Sequence, residues 1–279
     1  MSATDSGYGG APVADGRASP DALRLPLLAL GVAAAVLTVG FGWQMDWAVG
    51  LWPWEASRLS YIFLASITAA IAAPTLWTAL TQEYAALRPQ SITTVAQAAG
   101  VAATCLVLYV DDPGSGELAL AAVAVAIGLL GVATFVRLRT HPVRDPRPLP
   151  APVRWSFAGF AVALVVVGAS LVAGRDVFPW PLDTGTSAVY GWIFLGAAAY
   201  FVYGTLRPGW YAGCGQLLGF LAYDIVLIVP FIRHFDDVAP DRRTNLVIYV
   251  AIIAYSALLS IYYLVLDPET RLVRAARRR

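Results

Sequence analysis

Eight long apolar segments, separated by short polar connections, make up most of the chain. They cover residues 25–42, 58–80, 92–110, 118–136, 155–173, 187–206, 213–232 and 245–266. Each is close to the roughly 20 mostly apolar residues that a helix needs to cross a bilayer. The segments do not alternate between apolar and polar positions, which argues against the strands of a membrane barrel. The pattern therefore predicts an all-α, polytopic integral membrane protein with eight transmembrane helices.

The chain carries an internal repeat. Trp-Pro-Trp at residues 52–54 precedes Ile-Phe-Leu at 62–64, and Phe-Pro-Trp at 178–180 precedes the same triplet at 193–195. Apolar segments precede and follow each copy of this motif, so each half of the chain has four spans. Because four is an even number, both halves run in the same direction across the membrane. The sequence thus predicts two parallel four-helix repeats, related by an axis along the membrane normal.

The composition between these segments divides the chain into five parts. We expect a disordered cytoplasmic tail over 1–20, a first four-helix repeat over 21–136, a Pro/Arg-rich cytoplasmic linker over 137–154, a second four-helix repeat over 155–266 and a basic cytoplasmic tail over 267–279. The first tail has no apolar period, which is typical of disorder. The prolines of the linker disfavour helix and favour extended backbone.

The cationic residues are distributed unevenly along the chain, and all of them are arginine. With the N-terminus inside, 14 of the 19 arginines are cytoplasmic, and the other 5 are Arg58, Arg175, Arg233, Arg242 and Arg243. Arginine near the ends of spans favours the cytoplasmic side. We therefore expect a protein of the plasma (inner) membrane with both termini cytoplasmic. The net charge of +1 gives no sign of a nucleic-acid partner, so the expected partners are the lipid bilayer and a membrane protein or a second copy.

Asp224 is the one acid well inside a predicted span. An ionised carboxylate there costs about 2.5–3.5 kcal/mol on insertion scales, so the side chain must be neutral, paired or in contact with water. The polar side chains that could meet it are Tyr223, Gln216, Gln97 and Tyr200. One hypothesis is proton or cation coupling, or a polar substrate contact. The other is a protonated acid that hydrogen-bonds to a neighbouring helix.

Gln97 and Gln216 occupy matching places in the two halves, and each is followed three residues later by a glycine. Small residues let helices approach closely, and a glutamine can bond across their interface. The pattern favours packing between the halves. Its alternative is a polar lining of a central cavity.

The loops with the repeated motif carry Trp52, Trp54, Phe178 and Trp180. Tryptophan prefers the membrane–water interface, where its ring is apolar and its N–H stays hydrated. We expect these loops to act as interfacial anchors on the outer side. The alternative is a rim that binds an outer-leaflet lipid or another hydrophobic molecule.

Few side chains suggest metal or cofactor chemistry. Two acidic pairs in outer loops are weak candidates for Ca²⁺ or Mg²⁺, namely Asp111 with Asp112 and Asp236 with Asp237, but capping and solvation explain them better. The two histidines fall on opposite sides, which excludes Cys/His sites, haem and serine hydrolase chemistry at membrane depth. The two cysteines fall in different leaflets, too far apart for a disulfide. We expect no cofactor.

No motif fixes a reaction. The first hypothesis for function is a non-enzymatic membrane protein that is structural or accessory, or binds a lipid or a partner protein in the membrane. The alternative is a small transporter or channel with a polar site near Asp224 at the interface of the repeats. A weaker third is a membrane enzyme that uses outer carboxylates and a metal. Transport predicts a polar cavity that includes Asp224, whereas the first hypothesis predicts a packed interior with Asp224 bonded to another helix.

Overall fold

A computed structural model describes residues 20–111 and 115–272. The predicted tail over 1–20 lies almost wholly outside these residues, as do Asp112 and most of the predicted tail over 267–279. Within the described ranges the protein is helical, with no strand beyond an isolated bridge between Pro148 and Gly209.

Eight of the helices are long and apolar enough to cross a membrane, so the predicted number of spans is confirmed and the protein is a multi-pass membrane protein. The α-helices are α1 Pro20–Gly42, α2 Asp46–Val49, α3 Arg58–Thr81, α4 Leu87–Asp111, α5 Ser115–Leu138, α6 Ala151–Val172, α7 Thr184–Leu206, α8 Trp210–Arg233 and α9 Arg243–Ile261. The short α2 lies in the loop after α1. A π-helical turn over Tyr262–Leu266 extends α9.

Local signals set where several helices begin and end. Ser57 caps α3 by accepting a hydrogen bond from the Ser60 N–H, and Asp183 caps α7 through the Thr186 N–H, as short polar side chains do at N-termini. At the end of α3, Gln82 adopts a left-handed conformation with φ of 57°, which stops the helix.

Four inner helices form the centre of the bundle. Helix α3 packs against α8, and α4 packs against α7; the outer helices α1, α5, α6 and α9 pack on α3, α4, α7 and α8 in that order. The outer helices leave much of their apolar surface free for lipid. In the α5 span 17% of the most apolar stretch is buried, against 56% in the α3 span.

Small residues allow the inner helices to approach closely. A Cβ atom added at Gly100 of α4 would lie 1.9 Å from the Trp192 ring of α7, and one at Gly219 of α8 would lie 3.1 Å from the Ala70 carbonyl oxygen of α3. Pro74, four residues after Ala70, has no N–H to bond that carbonyl. The freed oxygen therefore faces the glycine of the neighbouring helix.

The bundle has two ends, because successive long helices run in opposite directions. One end, here called the linker end, carries the connections at 82–86, 139–150 and 207–209. The opposite end carries the longer loops at 43–57, 173–183 and 234–242.

Candidate functional site

Asp224 lies between α8 and α9, with 2% of its surface exposed. The Ser256 hydroxyl oxygen of α9 lies 3.0 and 2.9 Å from its two carboxyl oxygens. The same hydroxyl lies 3.0 Å from each of the Ile252 and Ile253 carbonyl oxygens. A serine hydroxyl has one hydrogen, so Ser256 cannot donate to all four acceptors.

A neutral carboxyl resolves this competition. If Asp224 carries a proton, it donates to the Ser256 oxygen, and Ser256 donates to a backbone carbonyl of its own helix. Every hydrogen then has an acceptor. An ionised Asp224 would share one serine hydrogen with two carbonyls, which leaves a buried charge poorly bonded. The geometry therefore supports the hypothesis of a protonated acid that joins two helices.

A second polar contact joins the same helices. The Tyr223 hydroxyl of α8 lies 2.5 Å from the Tyr249 hydroxyl of α9. Tyr249, Ser256 and Ser260 follow one another at spacings of seven and four residues, which places them on one face of α9. The Ser260 hydroxyl is buried and has no hydrogen-bond partner among the described residues. The interface between α8 and α9 thus carries a line of polar side chains, named here the α8–α9 seam.

The two repeated glutamines, Gln97 and Gln216, are not part of this seam. The Gln97 amide of α4 donates to the Ile193 carbonyl of α7 at 2.9 Å, which fits the predicted packing between the halves. No hydrogen bond of the Gln216 side chain is found in the described part of the chain. Gln216 lies two turns, or about 12 Å, from Asp224 along α8. Of the five residues predicted to share one polar site, the structure places Asp224 and Tyr223 in the seam and Gln97 at a different interface. The Tyr200 hydroxyl donates to the Ala212 carbonyl at 2.9 Å.

The aromatic loops are packed inside the protein to different degrees. Phe178 and Trp180 are 1% and 3% exposed, and Trp52 and Trp54 are half-buried. Phe178 and Trp180 therefore contact other helices and not lipid, which does not fit free interfacial anchors. The exposed indoles of the first loop are Trp43, at 75%, and Trp47, at 48%.

The two loops cross between the halves. The Trp180 indole N–H donates to the Ser60 hydroxyl oxygen at 2.9 Å, near the start of α3. The Trp52 indole N–H donates to the Thr186 hydroxyl oxygen at 3.2 Å, near the start of α7. Each aromatic loop thus reaches the second long helix of the other half.

Residues 141–150 cross the linker end as an extended segment, named here the strap. Its Leu149 N–H donates to the Pro208 carbonyl at 3.0 Å, and the Trp210 N–H donates to the Arg147 carbonyl at 2.8 Å. The Arg147 guanidinium pairs with Asp145 at 2.5 Å. These contacts fix the strap to the connection between α7 and α8.

Glu83 holds the strap from the other side. One of its carboxyl oxygens accepts the Arg144 and Asp145 N–H groups at 2.9 and 2.7 Å. The other is buried and has no hydrogen-bond partner among the described residues. Burial raises the pKa of the Glu83 carboxyl, and the two strap N–H groups offset part of that rise. Nothing in the sequence distinguishes this acid, which lies at a helix end where carboxylates are usually solvated.

Two small cavities lie at the ends of the bundle. One of about 70 Å³ at the opposite end is lined by residues that include Arg175, Phe178 and Ser187. One of about 10 Å³ at the linker end is lined by residues that include Thr78 and Gln90, and its size fits about one water molecule. Asp224 lines neither cavity.

The remaining candidates are isolated. Asp111, Asp236 and Asp237 are exposed, and the described residues contain no group of three or more acids, histidines or cysteines that could hold a metal ion. Cys105 and Cys214 are both free and buried, as predicted. No family model, curated protein or solved structure matches the chain, so its function is argued from this geometry.

Proposed function

We propose that this multi-pass membrane protein is non-enzymatic and either acts as a structural or accessory component or binds a lipid or a partner protein within the membrane. The observation that carries the proposal is the contact of Asp224 with Ser256 of the neighbouring helix. The one acid at membrane depth is engaged between two helices and lines neither end cavity. A transport site needs such a group to face water or substrate.

Other buried polar groups support the same conclusion. The Tyr190 hydroxyl donates to the Ser60 carbonyl at 2.8 Å, and the Trp192 indole donates to the Thr104 hydroxyl at 3.0 Å. Both contacts join helices from different halves. Polar side chains that bond to one another across helices stabilise a bundle, and they leave few groups to coordinate a solute.

We also propose that the two halves are parallel repeats, in the plasma membrane with both termini cytoplasmic. The contacts support a two-fold relation, because exchanging α1, α3, α4 and α5 for α6, α7, α8 and α9 leaves the pattern of helix pairs unchanged. The reciprocal aromatic loops support it as well. The orientation is supported by the arginine distribution.

A small transporter is the second candidate, and the linker-end cavity favours it. Thr78 and Gln90 line this cavity, and neither side chain has a hydrogen-bond partner among the described residues. The cavity lies among the four inner helices at the interface of the two halves, but at the linker end and not near the bilayer midplane, where the substrate sites of repeat-built transporters lie. Its volume of about 10 Å³ is too small for a solute unless the helices move.

Access of water to Asp224 separates the two candidates. We would replace both native cysteines by alanine, introduce Asp224→Cys, and treat proteoliposomes with a membrane-impermeant thiol reagent from either side. The accessory function predicts no labelling in the folded protein, while Glu269→Cys at the exposed linker end reacts. Labelling of Asp224→Cys, or labelling from both sides of Thr78→Cys in the linker-end cavity, would favour transport. If that variant does not fold, Ser256→Cys tests the same place from α9.

A further inference from the structure

The linker end presents many exposed cations. Its exposed arginines are Arg24, Arg137, Arg139, Arg144, Arg154, Arg207 and Arg271. The acids of this end are mostly engaged inside the protein: Glu83 holds the strap, Asp145 pairs with Arg147, and Asp267 accepts from Thr270. Of the carboxylates described at this end, only Glu269 is exposed. Among the side chains that the structure describes, the arginines therefore have few acids to neutralise them.

Two of these arginines lie at the end of α7, and a hydrogen bond fixes one of them there. The Arg154 Nε donates to the Thr205 carbonyl at 2.9 Å, which fixes the guanidinium against the end of α7 and leaves its terminal nitrogens free. Arg207 follows Thr205 by two residues and is exposed. Trp155, next to Arg154, is 71% exposed. An exposed tryptophan at a helix end is typical of the headgroup layer.

We propose that the linker-end arginines bind the phosphate groups of anionic phospholipids in the adjacent leaflet, with Arg154 and Arg207 as the main pair. One guanidinium group can bind two oxygens of a phosphate group through two parallel hydrogen bonds. Each cationic side chain close to an anionic membrane surface strengthens the binding of the protein to that surface about fivefold. The positions of the pair and of Trp155 at helix ends favour a lipid headgroup over a soluble polyanion. This inference rests on the lipid-binding part of the proposed function, for which it names the lipid class and the surface; the labelling of Asp224→Cys tests the packing argument separately.

The first half has a related arrangement at the start of α1. Arg24 is exposed there and is followed by Leu25, which is 74% exposed. The first helix of each half thus begins with an arginine next to an exposed apolar side chain. A second, weaker lipid position at Arg24 follows from the same physical argument, because leucine lacks the preference of tryptophan for the interface.

The test compares lipid preference in the full chain. The protein is reconstituted in phosphatidylcholine bilayers with a small fraction of spin-labelled phosphatidylglycerol or spin-labelled phosphatidylcholine, and the protein-bound fraction of each label is measured. We expect wild type to prefer the anionic label, and Arg154→Gln/Arg207→Gln to lower that preference at least about fivefold. The matched control Arg175→Gln/Arg243→Gln removes two exposed arginines from the opposite end and should leave it unchanged.

Two outcomes would overturn the proposal. One is an equal loss of preference in the control, which would show that overall charge and not this surface selects the lipid. The other is loss of the preference when millimolar inorganic phosphate is added at constant ionic strength, which would show a site for a soluble anion. Thermal unfolding of each variant checks that it is folded. An unfolded double variant is replaced by the single variants Arg154→Gln and Arg207→Gln, to which the same outcomes apply.

Discussion

Removal of the Ser256 hydroxyl tests most directly how Asp224 is held. Ser256→Ala leaves the carboxyl 2% exposed and takes away the side chain that bonds both of its oxygens. A buried polar group left without a partner costs about 1–3 kcal/mol. Asp224→Asn keeps the shape and can still bond the Ser256 oxygen. We therefore expect Ser256→Ala to destabilise the protein by about 1–3 kcal/mol and Asp224→Asn by less.

The double variant measures the bond itself. Asp224→Leu should cost about 0.6–2 kcal/mol, the range of one hydrogen bond between membrane helices. Combined with Ser256→Ala it should cost less than the sum of the two single changes, because the second change removes a group that has already lost its partner. The free energy of unfolding is measured in lipid bicelles by steric trapping of labels on α8 and α9. Additive effects would refute the argument that these two side chains bond.

The charge state is a separate part of the same prediction. Infrared difference spectroscopy in membranes should show a carboxyl band that is absent in Asp224→Asn and does not titrate between about pH 4 and 9, a range in which perturbed carboxyls titrate. A band that titrates in this range would favour proton coupling.

Three further predictions concern the strap, the aromatic loops and the topology. Because burial raises the pKa of Glu83, the docked strap is favoured below the ordinary pKa of a glutamate and weakens as pH rises through the raised value. Leu149 of the strap packs in one buried cluster with Cys214, so the reactivity of this thiol, which rises with pH in every variant as thiolate forms, should rise more steeply in wild type and Glu269→Gln than in Glu83→Gln. Trp180→Phe removes the indole donor and should lower the free energy of unfolding by about 0.5–1.5 kcal/mol. Trp43→Phe, at an exposed indole, should lower it by less, and an equal loss would contradict the role of the Trp180 hydrogen bond. A reporter fused at the C-terminus should be cytoplasmic and one in the loop at 111–117 external, and the reverse at either site contradicts the orientation.

The spans could be predicted from the sequence because the bilayer leaves little choice. A helix must carry about 20 apolar residues to satisfy its backbone in lipid, and the chain shows eight such segments. The burial of Asp224 and its need for a partner followed from the same physics. Both predictions depend only on the composition of a single segment, and that composition can be read directly from the sequence.

The partners of these residues could not be predicted, because they depend on which helix faces lie together. Ser256 is one of several serines in the spans, and nothing in its own segment distinguishes it. The contacts of the strap could not be predicted for a different reason. Glu83 bonds backbone N–H groups about sixty residues away, and backbone donors leave no mark in the sequence. Trp180 was expected at the membrane surface because its residue type favours that place, but its contact with Ser60 buries it.

The contact of each aromatic loop with the other half of the protein has a consequence for biogenesis. Ser60 enters the membrane with α3, but Trp180 lies 120 residues later in the chain. At a synthesis rate of about 5–20 residues per second, the indole that bonds Ser60 follows about 6–24 s behind it. During that interval the first four spans are inserted without the side chains that complete their packing. The first half therefore depends on translation of the second, and a ribosome that stalls between them leaves an incomplete bundle exposed to the membrane's quality-control proteases.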